Sequence, residues 1–135
     1  MPLNAVDIEA AFSSLTVLRN RTPTSSGPDV DAAFDRLADT ENGGVFAASF
    51  QGTSAWERHP NGDELVQILK GHATVTILDG NDESTLRMDA GSFVVVPRGA
   101  WHRFEAPEGV QVMTMTPQPT DHWRENGPPP RDDQE

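Results

Sequence analysis

The chain has 135 residues, 21 Asp and Glu against 10 Lys and Arg, a formal net charge of −11 and no cysteine. That length suits one domain around a single core, and the missing sulfur excludes disulfides, Cys-ligated zinc, iron–sulfur clusters and thiol nucleophiles. So acidic a surface repels phosphate backbones and anionic membranes, which leaves no expectation of a nucleic-acid or membrane partner.

Residues 1–9 are acidic and carry no basic-then-apolar leader, and no apolar run approaches the length of a membrane span, so a cytoplasmic location is expected. Asn4 reads as an N-cap, followed by Val6, Ile8, Ala11, Phe12 and Leu15 at near-helical spacing, which predicts a short N-terminal helix. Thr16, Val17 and Leu18 open a strand that the breaker-rich segment 22–28 interrupts. Residues 31–38 fit a helix or a strand equally, and Asn42-Gly43-Gly44 marks a turn.

From Val45 onward eight β-type runs follow, at 45–51, 55–59, 64–70, 73–78, 84–88, 92–96, 101–105 and 110–116. Turn residues such as Pro60-Asn61-Gly62-Asp63, Lys70-Gly71, Asp79-Gly80 and Pro97-Arg98-Gly99 separate them, a texture that predicts an all-β sandwich or barrel. Val94-Val95-Val96 is apolar on both faces and reads as a strand buried between layers. The expected organisation is an arm with a helix over 1–44, a β-barrel over 45–117, and a polar, Pro-rich tail over 118–135 whose last ten residues lack the apolar content to order themselves.

The chemistry concentrates in four residues. Glu57 and His59 are two apart, so on a strand both project to one face, with Trp56 and Arg58 on the other. Glu64 begins the next run after a four-residue turn, and a hairpin would bring it close to His59. His102 follows Pro97-Arg98-Gly99 on a later run, with Phe104 on its side. Burying two ionised carboxylates costs several kcal/mol each unless something positive compensates. A divalent cation would do so, and the rival is a carboxyl group sharing a proton with its neighbour or with His59.

These residues resemble the cupin family. Its shorter first motif, His-x-His-x4-Glu-x6-Gly, is matched by Glu57, His59, Glu64 and Gly71 except at the first position. Its second, Gly-x5-Pro-x-Gly-x2-His-x3-Asn, is matched by Gly91, Pro97, Gly99 and His102, with Ala106 in place of the final Asn. The resemblance implies a jelly roll, or double-stranded β-helix, holding a divalent metal on Glu57, His59, Glu64 and His102. The extra carboxylate at Glu57 favours Mn²⁺ or Fe²⁺, with Zn²⁺ and Ni²⁺ open.

It further implies a homodimer and a metal-dependent enzyme on a small organic molecule, by oxygenase, isomerase or lyase chemistry. Glu57 or Glu64 would serve as general base, and Val66 and Phe104 would line the substrate pocket. The alternatives are a non-catalytic barrel that binds or senses a small ligand and a metal-free structural cupin. His72 and His122 read as surface polar residues, and Trp123 as an indole packed on the barrel or on a neighbouring subunit.

Overall fold

The computed structural model describes residues 3–125 and 127–130. Of the ten C-terminal residues expected not to order themselves, 126 and 131–135 lie outside the described residues.

The N-terminal helix is α1, Ile8–Ser13, and its cap is Asp7 rather than Asn4. Asp7 Oδ1 accepts a hydrogen bond from Ala10 N at 3.0 Å, and its carboxylate sits where the helix dipole favours negative charge. Phe12 is the buried anchor of this helix. Strand β1 (Leu18–Arg21) follows.

Segment 31–38, which fitted either helix or strand, is divided between them. Pro28 starts helix α2 (Pro28–Ala33), where its missing N–H costs nothing, and Asp29 and Asp31 lie in the first turn. At Phe34 the backbone becomes extended and β2 (Phe34–Thr40) pairs antiparallel with β3 (Gly43–Thr53). Neither helix is long or apolar enough to cross a membrane.

The remaining strands are β4 (Trp56–Arg58), β5 (Glu64–Asp79), β6 (Asp82–Asp89), β7 (Phe93–Val96), β8 (Trp101–Pro117) and β9 (Asp121–Trp123). Two pairs of expected strands are single long ones: 64–70 and 73–78 both belong to β5, and 101–105 and 110–116 to β8. The Lys70-Gly71 signal marks a register shift within the β5–β8 ladder, between Gly71↔Val110 and Thr74↔Glu105. Gly71 has φ +74°, and a Cβ there would run into the Gly109 carbonyl, so the close crossing of the two strands requires glycine.

One edge of β8 carries β4 and β3, and its other edge carries β5 along most of its length. Beyond β5 lie β6 and β7, beyond β3 lie β1 and β2, and β9 pairs with β4. The result is a cupin-like, jelly-roll β-sandwich with two short helices. The jelly roll expected over 45–117 is present, but its sheet does not close into a barrel: the pairings end at β1, β2 and β9 on one side and at β6 and β7 on the other.

The main core joins Phe50, Val66, Ile68, Val75, Val96, Phe104 and Val112 to Leu18 and Ala33 of the arm. Val95 departs from the expectation of a strand buried on both faces: Val96 is buried and Val94 packs on the core, whereas Val95 points outward. A smaller cluster of Trp56, Leu78 and Trp101 receives Trp123 from β9, so the tail indole packs on the sheet of its own chain.

Candidate metal centre

The two sequence motifs are tied together before their side chains meet. Gly99 N donates to the His59 carbonyl at 3.1 Å, and Arg98 N donates to Asp63 Oδ1 at 2.8 Å, so the Pro97–Gly99 corner is pinned to the β4–β5 turn. Glu64 starts β5, His59 follows β4, and His102 lies on β8 opposite Ile77 and Glu57. All three are buried, and one donor atom from each lies within 4.8 Å of the others.

Glu64 Oε1 stands 2.9 Å from His102 Nε2 and 3.3 Å from His59 Nε2. None of these three atoms completes a hydrogen bond, although all are shut off from water. Their outer atoms are engaged. His102 Nδ1 donates to the Ala100 carbonyl at 3.0 Å, His59 Nδ1 meets Thr120 Oγ1 at 2.9 Å, and Glu64 Oε2 accepts from Thr116 Oγ1 at 2.6 Å. The Thr116 hydroxyl in turn lies 2.6 Å from Thr114 Oγ1.

This arrangement fits a metal ion. Metal–ligand bonds of about 2.0–2.2 Å place neighbouring ligands about 3 Å apart around one ion, close to the spacings found here. With Nδ1 donating to a carbonyl, the neutral His102 ring presents the Nε2 lone pair to the cluster, and outer partners that orient ligands in this way are characteristic of metal sites. Without an ion the atoms attract one another. Burial pushes the Glu64 carboxyl up, but the adjacent imidazoles outweigh it and hold Glu64 at about 2. Burial lowers the His102 imidazole, and Glu64 more than reverses that, so its pKa is raised.

Glu57 is not one of the three residues whose donor atoms converge, though it lines the same cavity as His59 and Glu64. Glu57 Oε2 lies 3.1 Å from His122 Nε2, the residue paired with it across β4 and β9. His122, read as surface from its position in the tail, is therefore the partner of a site carboxylate. Burial raises the Glu57 carboxyl, and His122 and His102 together bring it below its usual value. His72 pairs instead with Glu108, at 2.9 Å, away from the centre.

A cavity of about 160 Å³ opens beside the triad, walled by Phe34, Phe46, Phe50 and Phe104, with Glu57, His59 and Glu64 at its polar end. Phe104 is thus at the wall where strand parity put it. Val66 is fully buried in the main core, and the residues lining the cavity do not include it. Sequence reasoning missed Arg21, Thr116 and Thr120, which also line this cavity. Thr116 shares strand parity with Val112 and Thr114, a usable signal, whereas nothing in the local pattern marks Arg21 or Thr120.

An open jelly-roll sandwich with a buried His-Glu-His cluster that could hold a metal ion defines a cupin-type scaffold. The cupin domain family model matches residues 48–116, about half of the chain, and the chain belongs to this family. The uncharacterized protein YdbB of Bacillus subtilis (strain 168) is 34% identical over 59 residues, which cover 44% of this chain and 50% of YdbB. The matched segment thus spans half the length of that curated relative.

A cupin-2 domain protein from Shewanella frigidimarina superposes with a TM-score of 0.57 at 22% identity, covering 84% of this chain and 94% of that one. The hydroquinone 1,2-dioxygenase PnpCD, solved with Cd²⁺ and 4-hydroxybenzonitrile, gives 0.55 at 16% identity over 62% of this chain and 63% of its own. At these identities the two structures support the fold alone.

Proposed function

We propose that the protein is a metal-dependent enzyme acting on a small organic molecule, with His59, Glu64 and His102 as the ligands of a divalent ion. The observation that carries this reading is the convergence of three buried, unbonded donor atoms, two of them on residues, His59 and Glu64, that line an apolar cavity. Two imidazoles and one carboxylate with room beside them form the donor set used by non-haem Fe(II) oxygenases. That favours Fe²⁺ over Mn²⁺, Zn²⁺ or Ni²⁺, and oxygenation over isomerase or lyase chemistry. A divalent ion held there supplies Lewis acidity and open positions for an oxygen-bearing ligand.

The chain's own residues then divide the work. Thr116, Thr120 and the Ala100 carbonyl hold the ligands in orientation, while the four phenylalanines exclude water from the reacting end. Glu57 is the general base in preference to Glu64, because both line the cavity but Glu64 is committed to the ligand cluster. His122, partly exposed, connects Glu57 to solvent as a route for the proton. The working domain is 45–117, with 1–44 as its arm and 118–135 supplying Thr120 and His122.

Elemental analysis of untagged, metal-replete protein tests the reading. About one equivalent of metal per chain is expected in the wild type and under a tenth of that in His59→Ala and His102→Ala, with a lower melting temperature because metal binding is linked to folding. Equal metal content in all three would overturn the site. Metal-dependent turnover in a screen of small oxygenase substrates separates the enzyme from a binding module built on the same cavity.

A further inference from the structure

We infer that Arg21 is the anchor for a carboxylate of the substrate, and therefore that the molecule taken by this cavity is a small monoanionic organic acid with a flat, apolar body. The inference rests on the proposed metal centre and names the class of molecule that centre acts on.

Among the described residues lining the cavity, Arg21 is the one with a permanent positive charge. It reaches there from the end of β1, outside the segment that carries the metal-ligand motifs. Its guanidinium carbon lies 4.5 Å from the Phe50 ring centre and 5.0 Å from that of Phe34, and these two rings are stacked nearly parallel, 7° apart. The contacts made by the head group are with ring faces, and no described residue accepts a hydrogen bond from it. Burial works against its charge, Glu57 offsets this only in part, and nearby Arg124 adds a second positive charge that presses the same way as burial. Glu57 is itself engaged by His122.

A guanidinium steered into a cavity without an acceptor of its own suits a ligand carboxylate, which it can grip with two parallel N–H bonds. The strand does not need this side chain for its place, since the β1–β3 ladder is made by backbone, Leu18 opposite Phe50 and Arg21 opposite Gly52.

Charge and size point the same way. With a divalent ion bound and the histidines neutral, Arg21, Glu57 and Glu64 leave the cavity at a formal charge of +1, in a chain whose net charge is −11. One carboxylate neutralises it, whereas a cation or a dianion does not. A cavity of about 160 Å³ is comparable to the engineered protein cavity of about 150 Å³ that holds one benzene. The molecule is therefore limited to roughly one ring, with its carboxylate at Arg21 and its other end at the metal ligands.

The test uses Mn²⁺-loaded protein and two probes of nearly equal shape, benzoate and benzamide, titrated calorimetrically into the wild type, Arg21→Gln and Arg21→Lys. Metal content and melting temperature are measured on the same samples. A hydrogen-bonded charge pair of this kind is worth about tenfold to a hundredfold in affinity. The wild type is expected to prefer benzoate by at least about tenfold, Arg21→Gln to lose that preference while keeping its metal and melting temperature, and Arg21→Lys to retain part of it.

Equal binding of the two probes by the wild type, no benzoate binding, or an unchanged preference in Arg21→Gln would overturn the assignment of Arg21. Each would leave the metal reading intact if one Mn²⁺ per chain is found. Absence of metal from the wild type would overturn the metal centre and this inference with it. Should Arg21→Gln fail to fold, the wild-type ratio and Arg21→Lys still decide.

Discussion

Thr116 is the residue on which the candidate centre leans most heavily outside its ligands. Its hydroxyl donates to Glu64 Oε2 at 2.6 Å and so turns Oε1 toward the two imidazoles. Thr116→Val keeps the shape and removes the bond, leaving a buried carboxylate oxygen without a partner. Metal affinity, measured by competition with a chelator, should fall about 10–100-fold while the strand pairing survives. The metal-free protein should show a pH signature of the same cluster. Glu64, held at about 2 instead of its ordinary 4.5, contributes stability that is present above the ordinary value and lost as pH falls toward 2. His102 is raised, so its contribution is full below its ordinary 6.5 and lost as pH rises through the folded value. Melting temperatures of chelator-treated protein should therefore peak between these ordinary values and fall on either side. Metal affinity should instead rise with pH across the upper limb, since protons compete for the imidazoles; a flat melting profile would contradict the cluster. His59, Glu64 and His102 could be singled out from sequence because they stand at the matching positions of the two cupin motifs; alternation by itself pairs His59 only with Glu57 and does not reach a residue on a strand as distant as β8. Arg21 could not, because what makes it part of the site is the fold of an arm some forty residues upstream of the ligands.

At the scale of the element, most strands were legible because period-two runs and turn residues are local signals. The strands were misjudged where one signal has two structural meanings. Glycine at positive φ marks a hairpin in one setting and a bulge in another, and at Gly71 it is the bulge that lets β5 continue. Residues 31–38 defied a single assignment because the chain changes state at Phe34, where pairing with Ala48 replaces the local helical preference. Gly52 offers the corresponding test for the arm. It lies opposite Arg21 in the β1–β3 ladder with φ +122°, and a Cβ there would overlap the Arg21 backbone. Gly52→Ala must either adopt a backbone conformation costing about 1–3 kcal/mol or push β1 away. The expected result is a lower melting temperature together with a loss of cavity ligand affinity exceeding any loss of metal, because β1 carries Arg21 but no metal ligand. Equal losses of both would show that β1 supports the centre as a whole and does not act on the arm alone.

On the scale of the whole molecule, the outer face of the sheet carries an apolar feature, among the described residues, that the chain's own packing does not explain. Val95 and Met115 flank Leu65 in register on β7, β8 and β5, and Phe93 lies two residues from Val95, so these side chains share the outer face of the sheet. Phe93, Val95 and Met115 remain 63%, 48% and 49% exposed. Apolar patches of this kind on small proteins mark interaction surfaces, and a second copy of the chain can bury the same patch on both partners through a two-fold axis. The homodimer implied by the family resemblance is expected to use this face, with two acidic chains opposing one another across it. Sedimentation should find dimers whose association strengthens between about 20 mM and 300 mM salt, because added ions screen the mutual repulsion while leaving apolar burial in place. Phe93→Asp with Val95→Asp should give monomers that keep their metal and their fold. A wild type that is monomeric at both salt concentrations, or a double variant that still dimerises, would remove this face from the account and assign the exposed side chains to some other contact.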